Sequence, residues 1–259
     1  MTRVFVGAAI ERPPSPRYLR ALGFAELVFP THLPKASTLK RWRAALPEGF
    51  RVAMQIPPSM CTSEQGPLRL EPDLLERLPW LDQAIEAIDP DVLLLRTDRR
   101  LTPGRRDRAR LASYLERVGP DRLRAWSPRG VWEPEEVATL CEELGIVHAF
   151  DPLQSPAPVG TRTYARIEAM GGRTRIGEGM LLEALEAVLI SGAEEAYVCV
   201  HSPRSFREAS RLKALFDEVA AGDEDALDDE DALDDEDALD DEDELDDEDE
   251  LDDELDDGA

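Results

Sequence analysis

Leu33 to Pro57, LPKASTLKRWRAALPEGFRVAMQIP, reads as a loop, a helix, a tight turn and a buried strand in immediate succession. Ser37 is placed to cap the helix, Leu39, Trp42, Arg43 and Leu46 fall near one face, and Pro47-Glu48-Gly49 stops it. Phe50 to Ile56 follows as a short apolar run, broken only by Arg51 and Gln55 and closed by Pro57-Pro58. A strand apolar on both faces, reached through a helix, belongs in a parallel sheet.

The same rhythm repeats outward from this unit. The pattern predicts further strands at 3–9, 26–29, 92–96, 122–126, 146–150, 164–169 and 196–201. Between them it predicts helices at 16–22, 74–87, 105–118, 133–144 and 180–191, with a closing helix at 205–219. Two connections depart from the rule: 57–72 is a long loop, and 151–163 is Pro-rich and too short for a full crossover helix. Eight such strands predict a closed (β/α)8 TIM barrel. A doubly wound open sheet is the alternative. It would want a Gly-x-Gly-x-x-Gly or a P-loop after a strand, and Gly171-Gly172…Gly177…Gly179 has neither spacing.

The charge belongs to one end. The chain has 56 acidic residues against 30 Lys plus Arg, a formal net charge of −26. From Asp223 to Ala259 it is a near-repeat of Asp, Glu, Leu and Ala holding 26 of those acids and no base. Setting the 26 aside leaves 30 acids against 30 bases in Met1–Gly222, so the body is neutral. Leu227, Leu233, Leu239, Leu245 and Leu251 recur every six residues, a step that spreads them over three helix faces and forms no stripe. Two parts are therefore expected, a barrel over 1–222 and a disordered acidic tail over 223–259. Such a tail repels phosphates, which argues against nucleic acid. It suits either solubility or docking on basic proteins.

Cys61, Cys141 and Cys199 are widely spaced in apolar surroundings, against a disulfide framework or zinc knuckle and for a reducing compartment. The apolar run Val4 to Ile10 is too short for a signal peptide, and nothing approaches the length of a membrane span. A cytoplasmic protein without a membrane partner is the expectation.

In such a barrel chemistry sits where the strands end. Those positions hold Glu11 and Arg12, Thr31 and His32, Gln55 and Ser59, Arg96 to Asp98, Ser127 and Arg129, Asp151, Arg166 and Glu168, and His201 and Ser202. Two constellations stand out. Arg96, Arg129 and Arg166, with Arg204 nearby, would form a pocket for a small anionic molecule, since arginine's fork suits phosphate or carboxylate. Arg166 lies in an otherwise apolar strand and must find a partner; Glu168, two residues on and on the same face, is the candidate. The bland alternative is a structural ion pair on the barrel wall. His32, Asp151, Glu168 and His201 would instead suit a divalent metal, the one cofactor these residues fit, or else be polar residues on a solvated rim. His148, mid-strand, reads as a hydrogen-bonded core residue, and Trp126 and Trp132 either line a pocket or, the reading preferred, fill the core. No catalytic triad or nucleophile elbow appears.

Leu33-Pro34, Thr38-Leu39, Trp42, Leu46-Pro47 and Phe50 together resemble the bacterial family known as domain of unknown function 72, or YecE-like, itself expected to be a TIM barrel. The resemblance spans the body. Gln55 stands where that pattern has a lysine. The opening Gly-Thr-Ser-Gly-Trp survives as Gly7. A Glu-Ile-Asn-Ser-Thr-Phe-Tyr segment is matched by Leu27 to His32, without its Glu and Asn. Arg96-Thr97-Asp98 replaces Gln-Leu-Pro-Pro, and Trp132 remains of a later Glu-Phe-Arg-His-x-Ser-Trp, with Trp126 where its Glu would fall. Tyr164 to Ala169 keeps a Tyr-x-Arg-Leu-His-Gly best, without its His, and His201-Ser202 replaces Asn-Asn. The resemblance implies a barrel whose active-site face is degenerate in this chain, and it supplies no reaction. Three functions follow as expectations: a binder of a small anion, with ligands Arg166, Glu168, Arg129, Arg96 and Gln55; a metal-assisted hydrolase or isomerase; or an interaction protein acting through the tail.

Overall fold

In the computed structural model, which describes residues 2–169 and 175–221, eight parallel strands close into a barrel. Gly171-Gly172 and the acidic tail lie outside the described residues. The strands and helices run β1 (Arg3–Ile10), α1 (Pro16–Ala21), β2 (Phe24–Leu27), α2 (Ala36–Ala44) and β3 (Arg51–Gln55). A short hairpin of β4 (Thr62–Ser63) and β5 (Gly66–Pro67) precedes α3 (Pro72–Leu75), α4 (Leu78–Ile88) and β6 (Val92–Arg96). Then come α5 (Arg105–Arg117), β7 (Leu123–Ser127), α6 (Pro134–Leu144), β8 (Val147–Phe150), β9 (Arg162–Glu168), α7 (Glu178–Ile190), β10 (Glu195–His201) and α8 (Ser205–Ala220). Around the barrel the order is β1-β10-β9-β8-β7-β6-β3-β2, the closed ring that the eightfold rhythm predicts.

Alternation along the strands decides what faces inward. Phe24, Val92, Leu94, Tyr164, Tyr197 and Cys199 form an inner cluster separate from the larger core between strands and helices. Its aromatic rings pack edge-on and stacked, Phe24 against Tyr197 at 5.5 Å and Tyr164 against Tyr197 at 6.3 Å between centroids. Tyr164, Arg166 and Glu168 share a face of β9, whereas Ala165 and Ile167 pack towards the helices. Apolar filling therefore gives way to charge as β9 climbs to its C-terminal end.

Gly7 fixes the register of the first two strands. It lies opposite Phe24, and a Cβ on it would stand 2.0 Å from the Phe24 carbonyl oxygen. From α1, Tyr18 Oη accepts from Ala8 N–H at 2.8 Å and donates to the Phe24 carbonyl at 2.7 Å, tying both strands to their helix. The second strand accordingly spans Phe24–Leu27, two residues ahead of the predicted 26–29.

Local helix chemistry accounts for the other differences. Ser37 does not cap α2: Lys35 takes the extended cap conformation after Leu33-Pro34, and the helix starts at Ala36. Leu39 is nonetheless fully buried, and Trp42 and Leu46 pack against the core as the helix face predicts. The single helix predicted over 74–87 is two, α3 and α4, because Pro79 opens a new first turn. Asp151 to Thr161 carries no helix, and Leu153 and Ala157 from this loop pack against the core in its place. No described helix is long and apolar enough to cross a membrane.

Candidate ligand site at the barrel mouth

Charged side chains gather where β2, β6, β7 and β9 rise towards their C-terminal ends. At the centre is Arg166, whose side chain is 3% exposed, beside Glu26, fully buried on β2. Arg166 Nε donates to both Glu26 carboxylate oxygens at 3.1 Å, and Tyr164 Oη donates to Glu26 Oε2 at 2.8 Å. One layer higher, Glu168 holds three cations: Arg96 Nη2 lies 2.6 Å from Oε1, Arg129 Nη2 lies 3.0 Å from Oε2, and Arg166 Nη1 meets Oε1. The network thus links Glu26, Arg166, Glu168, Arg96 and Arg129 from the barrel interior to its rim.

Each neighbour leaves a mark on protonation. Burial opposes the Arg166 charge, but Glu26 holds its pKa above the ordinary arginine value. Arg96 is brought down to about 10 by burial, with Arg166 and Arg129 adding like-charge repulsion. Burial also raises the Asp151 carboxyl, against hydrogen bonds from Leu153 N–H and the Gln154 amide. It lowers the imidazole of His201, with Arg166 contributing, and that of His148 to about 4.

The satisfied bonds do not exhaust the donors. Arg166 Nη2 and Arg96 Nε are buried and have no hydrogen-bond partner among the described residues, and neither has Gln55 Oε1. Arg166 and Arg96 border a cavity of about 530 Å³, whose walls include Arg129, Trp132, Asp151 and Glu168. Gln55 borders a smaller neighbouring cavity of about 190 Å³, which also reaches Arg96 and Arg129. Native proteins rarely leave such groups unpaired, and a ligand site is one of the few reasons to do so.

No protein-family model and no curated protein matches this sequence. Solved structures do match. A DUF72 family protein from Enterococcus faecalis V583 superposes with a TM-score of 0.60 at 16% identity, over 84% of this chain and 98% of that one. A second structure of it gives 0.62 at 15% identity, over 83% and 96%. This chain shares the barrel fold of these DUF72 structures. A D-tagatose 3-epimerase-like protein is also similar, with a TM-score of 0.53 at 14% identity over 80% of this chain and 91% of that one.

Of the predicted ligands, Glu168, shared by the anion and metal sets, and Asp151, of the metal set, line the same cavity as the arginines. Arg96, Arg129, Arg166 and Glu168 converge on one cavity, with Gln55 beside it. Arg204 stands apart, exposed at the start of α8. The set His32, Asp151, Glu168 and His201 does not assemble: among the described residues no three His, Cys, Asp or Glu are grouped to hold a metal. The second strand ends at Leu27, so His32 is carried into a separate cavity with Glu11, Arg12 and Trp42. Glu168 is occupied by arginines, and Asp151 by its own loop. His148 is no core residue either; it is half-buried, lines the same cavity as Arg166 and makes no side-chain hydrogen bond among the described residues. Trp126 is core, its indole donating to Thr97 Oγ1 at 3.0 Å, whereas Trp132 packs edge-on against it and reaches the cavity wall.

Glu26 is the residue that sequence reasoning missed. The segment Leu27 to His32 lacks an acid, but one stands immediately before it, and a strand drawn from 26 onward puts that acid at the barrel's entrance instead of its interior. The signal was available in Phe24-Ala25-Glu26-Leu27-Val28-Phe29. A lone acid inside an apolar run demands a cation, by the same argument that singles out Arg166.

Proposed function

We propose that this chain is a divergent member of the DUF72 family whose barrel mouth binds a small anionic molecule. The observation that carries the reading is Arg166 Nη2, a guanidinium donor deep in the mouth with no acceptor among the described residues. Arg96, Arg129 and Arg166 face Glu26 and Glu168, so three cations meet two anions and the cluster keeps an unbalanced positive charge. An arriving anion satisfies the orphan donors and the charge together, and guanidinium forks suit carboxylate and phosphate alike. We also place the protein in the cytoplasm, a reading supported by three free and buried cysteines, Cys61, Cys141 and Cys199.

The test is a thermal-shift titration of the full chain with acetate, phenylacetate and phosphate at matched ionic strength. At least one anion raises the melting temperature of the wild type, and Arg96→Met, which keeps the side-chain stem, abolishes that response. A wild type indifferent to all three anions rejects the reading.

A further inference from the structure

The same cavity says more about its occupant than its charge. Besides the arginines its lining includes the apolar side chains of Pro128, Trp132, Val137 and Phe150. These come from the loop after β7, from α6 and from the outward face of β8, so the space runs from the barrel mouth into the crevice between β8 and α6. At about 530 Å³ it has room for more than a bare ion. Its spare charge is also small. Glu26 and Glu168 leave the three arginines one positive charge in excess, and Asp151 on the same wall is a third carboxyl group, so a doubly charged phosphate would bring more negative charge than the mouth can balance. A single carboxylate would not.

We propose that the mouth takes a small monocarboxylic acid with an aromatic or branched apolar body, its carboxylate on Arg96 and Arg166 and its body between Trp132, Val137 and Phe150. This rests on the anion-binding reading and narrows it. His148, on the same wall, stays neutral under the burial that holds its pKa near 4, and so adds no competing charge. Ser155 also lines this cavity, so a larger side chain there takes up its volume.

Calorimetric titration of the full chain with phenylacetate, acetate, phosphate and 2-phenylethanol separates the possibilities. Phenylacetate binds tighter than acetate by roughly ten- to a hundred-fold, the gain that burial of one ring supplies, and phosphate and 2-phenylethanol bind more weakly than phenylacetate. Ser155→Phe takes up cavity volume and removes the advantage of phenylacetate while acetate binding persists. Val137→Thr, close in shape and more polar, reduces the same advantage and guards against a misfolded Ser155 variant. Acetate or phosphate binding as tightly as phenylacetate overturns this inference and leaves the anion reading standing. Preferred binding of 2-phenylethanol, or no binding by any of the anions, overturns both.

Discussion

Arg166 and Glu26 stand 140 positions apart in the chain and meet inside the barrel, with the arginine Nε 3.1 Å from each carboxylate oxygen. Neither reaches bulk water. Two ions in such a place are expensive to desolvate, and their attraction repays the cost only when the geometry and the remaining hydrogen bonds are good. Here Tyr164 supplies a further donor to Glu26, and Glu168 a second anion to Arg166.

Glu26→Gln should therefore destabilise the protein by about 3–5 kcal/mol, because it strands a buried guanidinium against one remaining carboxylate. The double variant Glu26→Leu with Arg166→Met should recover most of that loss, since apolar replacement of a whole buried pair is often neutral. Urea unfolding of both variants checks this. If Glu26→Gln costs under about 1 kcal/mol, Glu168 alone neutralises Arg166 and the ladder is not cooperative.

Gly7 offers a sharper steric test. An alanine there drives its Cβ into backbone at Phe24, 2.0 Å from the oxygen and 2.6 Å from the carbon, where no flexible side-chain end can swing away. Gly7→Ala should cost about 3 kcal/mol or more. Gly23→Ala is the control, because nothing lies within 4 Å of its added methyl, and its effect should stay within about 0.5 kcal/mol. Equal denaturation midpoints for the two variants would mean that β1 and β2 slide to relieve the clash.

The contrast between these two glycines shows where the sequence is readable. Apolar runs such as Val92 to Leu95 declare strands buried on both faces, and eight strands with helices at all but one of the connections between them leave little choice but a closed ring. The Arg166–Glu168 ion pair was legible for the same reason, since charge in an apolar run needs company. Strand ends were harder. Gly23 marks where a helix stops, but only the Gly7–Phe24 contact, which exists in three dimensions alone, sets the register that puts Glu26 inside. The metal set failed through that two-residue difference at His32 and through arginines that claim Glu168. Neither is visible to a reading of one strand at a time.

His148 gives the pH dependence a defined sign. Burial lowers its folded-state pKa to about 4, against 6.5 in the unfolded chain. Above pH 6.5 both states hold a neutral ring and the contribution is complete. As pH falls from 6.5 towards 4 the unfolded chain takes up a proton that the folded protein refuses, so stability drops, and below 4 the loss levels off. The gap amounts to at most about 3 kcal/mol. His148→Gln has no such titration, so wild type minus variant, followed by urea unfolding from pH 7 to pH 4, should trace that curve. A flat difference would show that the ring is already solvated in the folded protein.

The cysteines report on unfolding itself. Cys61, Cys141 and Cys199 are free and buried, and burial pushes the thiols of Cys61 and Cys141 up to about 12 and that of Cys199 well above its ordinary value. Only the thiolate attacks a disulfide reagent, so at pH 8 each site is doubly protected, by access and by protonation. Labelling with an aromatic disulfide reagent should be slow in native buffer and complete within the mixing time in concentrated urea. Cys199 should react last, because it lies inside the barrel among Tyr164, Tyr197 and Phe24 and is reached only when the ring of strands opens. Cys141, on the outer helix α6, needs only that helix to lift. Mass spectrometry of partially labelled protein resolves the order, and Cys199 modified ahead of Cys141 would mean that the barrel opens before its helices detach.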